Sequence, residues 1–140
     1  MATREEIIEA LASLALFADL TRPELEGVAH VLEEQYFAQD ERVLRQGLSG
    51  SHFYIVLEGE AAARVDGAQV NVLRRGDFFG EVSVLLGEPP FADIVALRPL
   101  RCLVLAGPRM EPFLVGHPKV LYRILQAEAR KLRNASRGRN

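Results

Sequence analysis

Residues Phe79 to Val95 read FGEVSVLLGEPPFADIV, and this stretch holds the residue types best placed to do chemistry. Gly80 and Glu81 open a short helix-capable segment, 81–86. A helix start presents unbonded backbone N–H groups, which can hold an anion, and a glycine there lets a ligand approach the backbone. The Glu81 carboxylate would accept hydrogen bonds from hydroxyls instead. Phosphate on N–H groups beside hydroxyls on a glutamate describes a ribose phosphate. Between Glu81 and Val95, however, there is no lysine or arginine to meet that phosphate.

Other chemistries find no support in the chain. His30, His52 and His117 lie far apart and form no metal-ligand spacing. There is no G-x-S-x-G elbow, no phosphate loop of G-x-x-x-x-G-K form and no dinucleotide fingerprint. Acid pairs such as Glu5-Glu6 and Glu33-Glu34 fall on helical patterns and read as solvated faces. The single cysteine, Cys102, sits in the apolar run RCLVLA as a structural thiol and excludes an intrachain disulfide. We expect no enzyme, no metal and no resident cofactor.

The elements that must position Gly80 and Glu81 follow from periodicity. Residues 4–34 read as entry helices. Thr21, Pro23 and Glu24 mark a helix start with a capping box, with Leu20 and Leu25 as its staple. Residues 35–106 switch to a period of about two, in the runs QYFAQ, RVLRQ, HFYIVLEG, EAAARV, AQVNVL, DIVALR and RCLVLA. Turn signals separate them at Gln39-Asp40, Gly47 to Ser51, Glu58-Gly59, Asp66-Gly67, Gly76-Asp77 and Arg98-Pro99. Asp66-Gly67 predicts a type I′ hairpin. Residues 108–133 read as two closing helices. The expected class is α+β: a jelly-roll barrel between helices, as one domain over 1–140.

A hydrophobic fraction of 49%, a charged fraction of 26% and a net charge of -2 suit one globular unit with no global pull toward nucleic acid or anionic membrane. No apolar run is long enough to span a membrane and no signal peptide is visible, so the expected location is cytoplasmic. The one basic cluster, Arg130, Lys131, Arg133, Arg137 and Arg139, reads as a solvated helix end. Two lysines stand beside fifteen arginines, which we read as coding bias.

Taken together, LFADLTRPELEGVA, GLSGSHFYIVLEGE, LRRGDFFGE and GHPKVLYRILQAEARKL, in that order, resemble the cyclic nucleotide-binding domain family. This is the ligand-sensing unit of bacterial transcription regulators, kinase regulatory subunits and gated channels. The resemblance covers nearly the whole chain and implies an eight-stranded jelly roll flanked by helices. It implies that Glu81 bonds a ribose 2′-hydroxyl and that Gly80, Val82 and Ser83 lie near a cyclic phosphate. It also implies an arginine after the proline of GEP, where this chain has Pro90, and a Ser or Thr where it has Asp93. Phe91, ahead of Ala92, stands where a small residue is usual.

A hydrogen bond to a charged group is worth about 1.5–3 kcal/mol, so losing the arginine weakens affinity roughly tenfold to a hundredfold. The helix start offers only about 0.3–1 kcal/mol in return. Arg64, Arg74 and Arg75 are the candidates to replace the missing cation. We therefore expect a stand-alone module with weak or no cyclic AMP or cyclic GMP binding that acts on a protein partner. A sensor with an altered cassette is the alternative. The face Leu121, Tyr122, Ile124, Leu125 and Leu132 would bind a partner or a second copy. The chain stops soon after this helix, so direct DNA binding is not expected.

Overall fold

The computed structural model describes residues 2–48 and 52–138. Two expectations therefore fall partly outside the described residues: Ser49 to Ser51 of one turn, and Arg139 of the basic tail. Two helices lead in, α1 (Arg4–Ala12) and α2 (Arg22–Val31). Thr21 caps α2, accepting from the Glu24 N–H at 3.4 Å while Glu24 accepts from the Thr21 N–H at 2.9 Å. Eight strands follow: β1 (Glu33–Phe37), β2 (Arg42–Leu44), β3 (Phe53–Glu58), β4 (Ala61–Val65), β5 (Ala68–Leu73), β6 (Phe78–Phe79), β7 (Asp93–Ala96) and β8 (Leu100–Leu105). Between β6 and β7 lies α3 (Glu81–Leu86). The chain closes with α4 (Met110–Gly116) and α5 (Pro118–Arg137).

The strands form two antiparallel four-stranded sheets, β1-β8-β3-β6 and β2-β7-β4-β5. This is the expected α+β jelly roll. The alternation of side chains explains why Phe53 to Leu57 of the run HFYIVLEG is apolar without a break. Phe53, Ile55 and Leu57 face one core, shared with the helices, and Tyr54 and Val56 face the other, between the sheets. Strand β8 divides likewise, Leu103 and Leu105 to the helices and Leu100, Cys102 and Val104 inward. A strand buried on both faces has no polar alternation to read. At the β4–β5 turn, Asp66 and Gly67 have φ of 52° and 84°, as a type I′ turn requires.

Two boundaries and one unread strand depart from expectation. Strand β1 begins at Glu33, inside the range read as helical, because α2 stops at Val31. Strand β6 has only two residues, too few for any periodicity to register. Helix α5 continues to Arg137 rather than ending at residue 133.

The face of α5 also needs correction. Val120 and Ile124 are buried in the helix-side core and Ala127 packs against it. Ile124 is thus a core residue, not part of a partner face. Leu121, Tyr122, Leu125 and Leu132 point outward, with Leu125 60% and Leu132 70% exposed. Salt bridges from Lys119 to Glu24 (3.1 Å) and from Arg123 to Asp19 (2.8 Å) tie α5 to the entry helices. No helix among the described residues is long and apolar enough to cross a membrane.

Candidate functional site

The start of α3 is built on close backbone contact. Gly80 has φ of 85°, and a Cβ there would lie 2.1 Å from the His52 carbonyl oxygen. Only glycine permits this approach, which fixes where the next side chain points. That side chain is Glu81, a charged residue only 4% exposed. At the far end of α3, the Ser83 hydroxyl donates to the Glu88 carbonyl, and the Glu88 N–H donates back to Ser83 O at 3.1 Å. Ser83 therefore helps close the turn after Gly87.

Glu81 opens onto a cavity of about 210 Å³. Its walls are mostly apolar: Leu44, Ala63 and Leu73 from the strands, Phe79 and Ile94 beside the cassette, and Pro90, Phe91 and Ala92 from the loop after α3. Gly80, Val82 and Ser83 complete the cassette side. Phe79 lies flat against Tyr54, with centroids 4.7 Å apart. Pro90 is buried, and its carbonyl accepts from the Gly47 N–H at 2.8 Å. Phe91 is 62% exposed, at the rim rather than filling the interior.

The charged side chains expected near the cassette lie elsewhere. Asp93 does not line the cavity; its carboxylate accepts the Gln46 N–H at 2.7 Å. It therefore contributes less repulsion than its position in the sequence suggests. The arginine candidates do not reach the site. Arg74 bonds Glu60 at 2.9 Å, and Arg75 bonds the Leu57 carbonyl at 2.8 Å and the Ser13 hydroxyl at 2.7 Å. Arg64 lies opposite Asp93 across the β4–β7 ladder and is not among the lining residues.

The cation that does face the cavity comes from the tail read as solvated. Lys131 of α5 places its Nζ 3.0 Å from Glu81 Oε2 and 3.2 Å from Glu128 Oε1. The same Nζ sits 4.7 Å from the centroid of the Phe78 ring, a cation–π arrangement. Lys131 is the only cationic side chain among the described residues lining the cavity. Burial pushes the Glu81 carboxyl up to about 7; the Glu128 carboxylate adds to this and Lys131 opposes it. Burial works against the charge on Lys131, but Glu81 and Glu128 outweigh it and hold the ammonium above the usual lysine range.

Sequence reasoning missed Lys131, Glu128 and Phe78. A signal was present: both lysines of this arginine-rich chain lie on α5 and both bridge to another element, Lys119 to Glu24 and Lys131 to Glu81. An ammonium is a compact charge that fits above a ring and between two carboxylates, whereas a guanidinium asks for planar pairing.

Comparison with known proteins matches this architecture. The family model described as "Cyclic nucleotide-binding domain" matches residues 34–117. A cGMP-dependent protein kinase of Eimeria tenella is 31% identical over 119 residues, covering 85% of this chain and 12% of the kinase. The chain thus spans a small part of that relative's length. The regulatory domain of Toxoplasma gondii protein kinase A, solved with cyclic AMP, is 25% identical at a TM-score of 0.78, covering 91% of this chain and 50% of that one. The regulatory subunit of a cyclic AMP-independent protein kinase A from Trypanosoma cruzi, solved with guanosine, is 25% identical at a TM-score of 0.72, covering 90% of this chain and 50% of that one. With the model matched over more than half its length, the two-sheet roll and the Gly80-Glu81 cassette in place, this chain belongs to the cyclic nucleotide-binding domain family.

Proposed function

We propose that this chain is a regulatory module whose cassette has weak or no affinity for cyclic AMP and cyclic GMP, and whose output is contact with another protein in the cytoplasm. It is a binding module; no catalytic step is assigned to it. One observation carries the reading. The cavity wall has buried Pro90 where the family resemblance calls for an arginine, and Lys131, the one cation lining it among the described residues, already serves two carboxylates. Among the described residues, a cyclic phosphate entering here meets no uncommitted lining cation to form the charge-assisted pair that would hold it.

The outward side of α5 is the surface we assign to a partner or a second copy. Leu121, Tyr122, Leu125 and Leu132 recur at helical spacing and are exposed, the arrangement by which one amphipathic helix packs on another.

The test is thermal unfolding with millimolar cyclic AMP, cyclic GMP and cyclic dinucleotides. A ligand at 100 times its dissociation constant stabilises by about 2.7 kcal/mol, which is readily seen as a rise in Tm. The reading expects no appreciable rise at micromolar ligand and allows a limited one at millimolar; a rise already developed at micromolar ligand would overturn it. A second reading keeps the module as a sensor through an altered cassette. The open cavity favours it, as does the guanosine found in the Trypanosoma cruzi relative.

A further inference from the structure

The Glu81–Lys131–Glu128 cluster has a consequence for which molecules the cavity can take. One ammonium stands within 3.2 Å of two carboxylates, so with both acids ionised the group carries a net negative charge. Asp93 and the nearby arginines are committed elsewhere, so among the described residues no other lining side chain offsets it. Helix α3 has six residues, too short for its dipole to reverse that balance. The remaining wall is mostly apolar, with Leu73, Phe79 and Ile94 among it beside the uncharged polar Asn71 and Ser83. An apolar cavity of about 150 Å³ holds benzene, so about 210 Å³ gives room for a bicyclic aromatic body.

We infer that the cavity binds an uncharged ligand with a flat apolar body and a hydroxyl or amide handle, and that Glu128 and Lys131 are the residues that set this charge preference. The inference rests on the second reading above, that the cavity still takes a ligand. The handle would bond the Glu81 carboxylate and the Lys131 ammonium together, one accepting and the other donating. An anion would instead meet a cation already shared and a surplus carboxylate. A like charge about 6 Å away at an effective dielectric of ~40 weakens binding on the order of tenfold. Neither Glu128 nor Lys131 belongs to the cassette, so the family motif does not foretell the preference.

The experiment compares probes that differ in charge but share a body. At pH 8, calorimetry on the full chain would titrate adenosine against cyclic AMP, guanosine against cyclic GMP, and indole-3-ethanol against indole-3-acetate. The nucleoside and indole arms distinguish a nucleoside ligand from a simpler aromatic alcohol. We expect at least one uncharged probe to bind about tenfold or more tighter than its anionic counterpart. Glu128→Gln removes the surplus charge and should narrow that ratio toward unity. An anionic probe that binds as tightly as its neutral partner overturns the inference. So does the failure of every uncharged probe at millimolar concentration, which would leave the first reading of function standing. Micromolar cyclic AMP binding that is still tenfold weaker than adenosine would overturn that first reading and leave this inference intact.

Discussion

Raising the pH from 5 to 8.5 should destabilise this protein, and Glu81 is the reason. Its carboxyl is raised from 4.5 to about 7 by burial, so between those values the folded state holds a proton that the unfolded state has released. Stability is greatest below about pH 4.5 as far as this group is concerned, falls as the pH rises, and is lost above about pH 7. Each pH unit in that window is worth about 1.4 kcal/mol, so the full effect is about 3 kcal/mol. For a chain of 140 residues the unfolding entropy is about 0.3 kcal/mol/K, which makes the expected drop in Tm about 10 °C. Carboxylates held low, Glu24 at about 2 among them, act in the opposite sense but only below about pH 4.5. The assay is circular dichroism melting from pH 5 to 8.5 on the wild type and on Glu81→Gln. The glutamine cannot ionise, so the variant should lose this slope while sharing every other titration. Equal slopes in the two proteins, or a wild-type Tm that rises with pH, would refute the assignment of a buried, proton-holding Glu81.

Other outcomes follow from the same geometry. Gly80→Ala places a methyl group 2.1 Å from the His52 carbonyl at a φ of 85°, and should cost roughly 3 kcal/mol or more in chemical denaturation. Ile124→Ala should cost about 2–5 kcal/mol because it empties a buried site, whereas Leu125→Ala, on the exposed side of the same helix, should stay within about 0.5 kcal/mol and instead weaken capture of a partner or a second copy in cross-linking. Pro90→Arg combined with Phe91→Ala should gain cyclic AMP affinity by about tenfold or more in a fluorescence competition assay, since Asp93 lies outside the cavity and need not be changed.

Much of the fold could be read along the chain. The capping box at Thr21 and Glu24, the Asp66-Gly67 turn and the strand runs depend on neighbours a few residues apart, so their signals are local. Strand β6 could not be read because two phenylalanines have no period, yet it carries Phe78, under Lys131, and Phe79, in the cavity wall. Gly80 and Glu81 were legible together as a motif, and Pro90 was legible as the residue standing where the resemblance implies an arginine. Its electrostatics were not legible. Glu81 and Lys131 are 50 residues apart, and nothing in a basic tail says that one of its lysines turns inward. The exposed or buried fate of Ile124 against Leu125 was equally hidden, because adjacent apolar residues on one helix can only be sorted by what packs against them.

The central claim is that a cassette without its cation has released cyclic nucleotide. Equilibrium dialysis of the wild-type chain with labelled cyclic AMP and cyclic GMP at pH 7.5 tests it most directly. The account predicts dissociation constants of about 0.01–0.1 mM or weaker, the tenfold-to-hundredfold loss expected from a missing charge-assisted pair applied to a micromolar site. Saturable binding at micromolar concentration or below would contradict it.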